Sequence, residues 1–116
     1  MLMTATIDRL PDAIAVVTLS GPLTLGTSLK LADAQVQTAI AEGVSKMVID
    51  LTSVDFVDSA GLGMLVCTYG ALNEKGGALR LCGVAPRVQK LLQLTKTDGF
   101  LSLDASREDS LTALQA

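Results

Sequence analysis

Met47-Val48-Ile49-Asp50-Leu51 runs through Thr52-Ser53-Val54-Asp55-Phe56-Val57 into Asp58-Ser59-Ala60-Gly61-Leu62-Gly63, and this stretch decides the fold. Its first five residues are apolar and rich in β-formers, so they read as a buried strand. An acidic link from Thr52 to Asp58 leads into Leu62, Leu65, Val66, Tyr69 and Leu72, whose spacing predicts a helix closed by Gly76-Gly77. Ala78-Leu79-Arg80-Leu81-Cys82 follows as a second strand. The middle of the chain is therefore a β-α-β unit.

Working outward, Val84, Val88, Leu91 and Leu92 give a further helix face with Pro86 in its first turn. Phe100-Leu101-Ser102-Leu103 reads as a last short strand, and Ser106-Arg107-Glu108-Asp109 resembles a capping box that starts a terminal helix carrying Leu111 and Leu114. Toward the N-terminus, Met3, Ala5 and Ile7 alternate with Thr4, Thr6 and Asp8. With the turn at Pro11-Asp12 and the run from Ala13 to Leu19, they predict a hairpin. Leu25, Leu29, Ala32, Val36 and Ile40 then recur at helical spacing, with Gly43 as the stop. Strands joined by a full helix return parallel through right-handed crossovers, so a parallel βαβαβ core should lie beside the antiparallel hairpin.

Composition narrows the function. The chain has 116 residues, 49% of them hydrophobic and 18% charged, enough apolar material for one core spanning 1–116. Nine Lys and Arg against twelve Asp and Glu leave a net charge of -3, which argues against direct binding to nucleic acid. With no histidine, imidazole-based acid-base catalysis, Ser-His-Asp hydrolysis and histidine zinc sites are all excluded. Cys67 and Cys82 lie in apolar runs without metal-ligand spacing, and both are expected to be reduced, buried thiols. Asp8 and Arg9 interrupt the start of the chain where a signal peptide would be apolar, and no run approaches a membrane span. The expectation is a soluble, cytoplasmic protein with no membrane insertion. Lacking sustained heptads, it should be a monomer when free.

Function in parallel sheets gathers at the carboxyl ends of strands, which directs attention to Val54–Gly63. Ser59 is expected at the N-cap of the helix, its hydroxyl accepting a first-turn N–H. Gly61 and Gly63 should leave that hydroxyl open to another molecule, while Asp50, Asp55 and Asp58 make the neighbourhood acidic. A phosphoryl group on Ser59 adds about -1.5 to -2 charges at a helix terminus that favours anions. A partner docked over the glycines would then face a new dianion, at a cost of several kcal/mol. This suits an off-switch for binding.

Other chemistries fit less well. A nucleophile elbow needs glycine where Val57 stands, and the chain offers no histidine as base. A dinucleotide fingerprint needs a small residue at Val66. Three aspartates spread along a strand and loop read as solvated or turn-capping rather than as a metal site, and no cofactor is called for.

Taken together, Val48-Ile49-Asp50-Leu51, Phe56 to Gly63, Gly76-Gly77-Ala78-Leu79-Arg80-Leu81 and Val84-Ala85-Pro86-Arg87-Val88 closely resemble the STAS family of anti-anti-sigma factors. The resemblance implies a single STAS-like α/β domain, with a mixed four- to five-stranded sheet and about four helices packed mainly on one side. It implies a non-enzymatic partner switch. The unmodified protein binds an anti-sigma factor that is also a serine kinase, phosphorylation ends that binding, and a serine phosphatase restores it. By position, Ser59 is then the phosphoacceptor and Asp58 its flanking acid. Asp58, Ser59, Ala60, Gly61, Leu62 and Gly63 then belong to the partner-binding surface, together with Asp55 and Thr24. Family members often carry a second serine where this chain has Ala60, and an acid where it has Thr24. Alternatives within the resemblance are a soluble subunit of a lipid-transporting ABC system and a protein-binding scaffold that is never phosphorylated.

Overall fold

The computed structural model describes residues 2–115. Five strands, β1 (Thr4–Leu10), β2 (Ile14–Ser20), β3 (Lys46–Ser53), β4 (Ala78–Cys82) and β5 (Ser102–Asp104), line up in sequence order in one sheet. The β1–β2 pair is antiparallel and the other three pairings are parallel. Four helices connect or follow them: α1 (Thr27–Ala41), α2 (Ser59–Glu74), α3 (Pro86–Leu94) and α4 (Arg107–Gln115). The result is the mixed α/β domain expected.

Strand periodicity sorts the core. Ala15, Val17, Leu19, Met47, Ile49, Leu51, Leu79 and Leu81 join the main cluster beneath α1, α2 and α3. The alternate residues Ile14, Val16, Val48 and Cys82 point to the other face, where Leu114 and Leu111 of α4 cover them. Both faces of β2 and β3 are thus buried, which is why those strands read as continuous apolar runs rather than as alternation. Polar pairs fasten α4 to the sheet. Arg107 donates to Asp50 Oδ2 at 2.9 Å and to Thr18 Oγ1 at 2.8 Å, and Ser110 Oγ donates to Asp104 Oδ2 at 2.7 Å. Asp104 also takes a two-nitrogen contact from Arg80, at 2.6 and 3.1 Å.

The element ends follow ordinary chain chemistry. Gly76, at φ +71°, follows the last turn of α2, where a left-handed backbone favours glycine. Pro86 opens α3 without sacrificing a helical hydrogen bond. Ser106 Oγ accepts from the Asp109 amide at 3.1 Å, which is the expected cap of α4.

Three expectations need correction. Leu25 fits the phase of the α1 stripe, yet the helix starts at Thr27 and Leu25 stands outside it, 72% exposed. The last strand is shorter and later than expected, because the Phe100 amide donates to Thr97 O and closes a 3-10 turn over Thr97–Gly99, with the Leu101 amide donating to the same oxygen. Phe100 leaves the sheet to pack its ring against Tyr69, with centroids 4.9 Å apart. Finally, Cys82 is buried but Cys67 lies on the exposed side of α2; both are free thiols. Among the described residues, no helix is long and apolar enough to cross a membrane.

Candidate functional site at the start of α2

Two segments meet where β3 gives way to α2. The Gly21 amide donates to Ser53 O at 3.0 Å, the Leu23 amide to Phe56 O at 2.9 Å, and the Asp58 amide to Leu23 O at 3.1 Å. Leu23 and Val57 form a parallel bridge that extends the β2–β3 pairing past the strand ends. Both of these side chains are buried, so the zipped segments are anchored from below. Their outward residues, together with the first turn of α2, make up the candidate site.

Asp58, not Ser59, is the N-cap. Its Oδ1 accepts from the Gly61 amide at 2.9 Å, and its backbone is extended while that of Ser59 is already helical. Its other oxygen, Oδ2, accepts from the Leu25 amide at 2.9 Å, so one carboxylate ties the helix start to the loop before α1. The Leu25 and Gly61 amides hold the Asp58 carboxyl below the usual carboxylate range. Aspartate and serine are both favoured caps, and the sequence alone does not separate neighbours one residue apart. Freed from capping, the Ser59 side chain projects from the first turn into solvent.

This alters the electrostatics expected for a modified Ser59. The Gly61 amide at the helix terminus is already engaged by Asp58, so a phosphate on Ser59 meets a neighbouring carboxylate instead of a vacant anion site. It would lie outward, in water.

The two glycines have different roles. Gly61 is buried, and a Cβ there would stand 2.3 Å from the Leu23 carbonyl oxygen, so its missing side chain serves the packing of α2 on the 21–26 loop. The expectation that it opens the surface to another molecule is corrected. At Gly63 a Cβ would meet nothing within 4 Å, and this position does remain open. Ala60 and Leu62 are half-buried against the core, and Asp55 is exposed. Thr24 sits between Leu23 and Leu25, both bonded to the 56–58 segment, which places it beside the helix start. Asp50 is not part of this group. It turns to Thr52 and to Arg107 under α4. Among the described residues no three histidine, cysteine or acidic side chains converge as a metal ion would require.

Sequence reasoning passed over two residues here, Leu25 and Phe56, which are large, apolar and exposed, one on each of the zipped segments. Helical phase assigned Leu25 to the core, and Phe56 read as part of the acidic link.

The family model described as the STAS domain matches residues 5–110. The chain belongs to the STAS domain family. An anti-sigma F factor antagonist of Paenibacillus polymyxa is 31% identical over 103 residues, covering 88% of this chain and 87% of that protein. Among solved structures, an anti-sigma factor antagonist from Mycobacterium paratuberculosis superposes with a TM-score of 0.86 at 28% identity, over 98% of this chain and 95% of that one. The phosphorylated form of the Bacillus cell fate determinant SpoIIAA shares the fold, with a TM-score of 0.77 at 20% identity over 95% and 98% of the two chains. This STAS domain thus has anti-sigma factor antagonists among its relatives, by sequence as well as by fold.

Proposed function

We propose that the protein is an anti-sigma factor antagonist that works in the cytoplasm as a phosphorylation-controlled partner switch. With Ser59 unmodified it binds, as a monomer, an anti-sigma factor that is also a serine kinase. Phosphate on Ser59 ends the complex, and a serine phosphatase restores it. The observation that carries this reading is the exposure of Ser59 on a helix turn already capped by Asp58. The hydroxyl is free to enter a kinase active site without dismantling the cap. Asp58 engages both carboxylate oxygens with backbone amides, so this neighbour is not poised to activate that hydroxyl. Ser59 is an acceptor for another enzyme's chemistry.

The relatives named as antagonists support the binding role, and the neighbouring charge supports the switch. A dianion beside Asp58 and near Asp55 sets like charge against whatever docks there, and about 3 kcal/mol of repulsion lowers affinity more than a hundredfold. The test is to incubate the purified protein and ATP with the anti-sigma factor kinases of its own genome, and to locate phosphate by mass spectrometry. A single phosphate on Ser59, absent from Ser59→Ala, is the expected result. If every kinase leaves Ser59 unmodified while the protein still binds one of them, the protein is a scaffold and the switch is wrong.

A further inference from the structure

Two large apolar side chains on the segments that meet at the start of α2 are not claimed by the core: Leu25, 72% exposed, and Phe56, 44% exposed. Leu25 has the helical phase of Leu29, Ala32, Val36 and Ile40, all of them buried, and a chain that simply began α1 earlier would carry it on that stripe. Instead its amide is held by Asp58 Oδ2 and its side chain stands in water. It borders a shallow depression of about 210 Å³ that Leu2, itself exposed, also lines. Phe56 is held on the opposite segment through its carbonyl, which accepts the Leu23 amide. One exposed apolar side chain is ordinary, but Leu2 and Leu25 share a depression and Phe56 stands on the segment bonded to that of Leu25, and apolar residues gathered in this way mark an interaction surface.

We infer that Leu25 and Phe56 are the apolar anchors by which the anti-sigma factor docks over Ser59, and that Asp58 is the positioning residue that holds Leu25 out for it. The inference rests on the switch reading and adds the chemistry of the partner's face, an apolar recess bordered by basic groups. Charge argues for the basic border. Asp55 is exposed next to Phe56, and no lysine or arginine occurs between Lys46 and Lys75. The same arrangement accounts for the effect of one modification, since Ser59 directly follows the Asp58 that holds the Leu25 amide and stands three residues after Phe56.

The test uses the full chain and the kinase of its own genome that binds the wild type, with affinity read by calorimetry. Leu25→Ser and Phe56→Ser should each weaken binding at least tenfold, as loss of a buried aromatic or aliphatic anchor does. Each should raise KM for phosphorylation of Ser59 while changing kcat little. Because both side chains are exposed, the variants should unfold at the wild-type temperature. Leu31→Ser is the control: Leu31 is 62% exposed on α1, in the groove beside β1, and its loss should leave affinity within about twofold. Asp58→Asn should weaken binding alone, yet add little in the presence of Leu25→Ser, because positioning has no effect once the anchor is gone. Wild-type affinity in Leu25→Ser and Phe56→Ser overturns the inference and leaves the switch standing, as does an equal loss in Leu31→Ser. Failure of the wild type to bind any such kinase overturns both.

Discussion

Asp58 engages two backbone amides from different segments, whereas its neighbour Ser59 carries no share of that cap. Asp58→Ala should therefore lower the midpoint of thermal unfolding clearly, while Ser59→Ala stays within about 0.5 kcal/mol of the parent, as exposed substitutions do. Differential scanning calorimetry on the two variants distinguishes the residues, and the opposite ranking would return the cap to Ser59. The glycines make a second pair. Gly61→Ala forces a methyl group against the Leu23 carbonyl and should cost about 1 to 3 kcal/mol. Gly63→Ala has open space and gains helix propensity, so denaturant unfolding should show it neutral or up to about 1 kcal/mol more stable. At this scale the sequence placed Ser59 at the start of a helix, next to an aspartate and close to two glycines, and that is where it lies. It did not show which residue caps the helix or that Gly61 packs inward, because both depend on where the distant 21–26 loop lies.

Among the described residues, α4 stands apart as the one helix on the second face of the sheet. Nine residues long, it is too short to be stable by itself and depends on what it covers. Leu114 closes over Ile14, Val16, Val48 and Cys82. Leu114→Ala should cost about 2 to 5 kcal/mol in urea unfolding, yet leave affinity for a partner at the α2 face unchanged, since α4 and Ser59 belong to different surfaces. A parallel loss of affinity would mean that the two faces are coupled. Elements with long periodic patterns were readable: β4 lies where its apolar run is, and α2 ends at its glycine pair. The start of α1 and the last strand were not. Leu25 has helical phase but is held out by Asp58, and Phe100 has strand character but packs on Tyr69. Both choices are made by tertiary partners that local pattern does not contain.

For the whole molecule, charge sets a pH profile whose sign can be worked out. Backbone amides of Leu25 and Gly61 hold the Asp58 carboxyl below its ordinary value. The Arg80 hydrogen bonds do the same for Asp104, against partial burial. At Asp50, burial pushes the carboxyl up but is outweighed by the Thr52 hydroxyl and amide and by Arg107, leaving it lowered. Depressed carboxylates stabilise the fold above the ordinary carboxylate range, near pH 3.9, and that contribution is lost as pH falls through the folded values. Cys82 acts at the other end. Burial, then the nearby Asp50 charge, push its thiol from 9.0 up to about 11, so stability should decline as pH rises between those two values. With no histidine to titrate, the thermal midpoint should be flat from about pH 5 to pH 8, fall below about pH 4 and fall again above pH 9. Cys82→Ala should remove much of the alkaline decline, and a slope between pH 6 and 7 would contradict this assignment.

The most direct trial of the switch is calorimetric titration of the cognate anti-sigma factor with two preparations of the same protein, one unmodified and one fully phosphorylated on Ser59. Binding to the unmodified form, weakened at least a hundredfold by the phosphate, is the outcome that the proposed switch predicts. Equal affinity for the two preparations would contradict it.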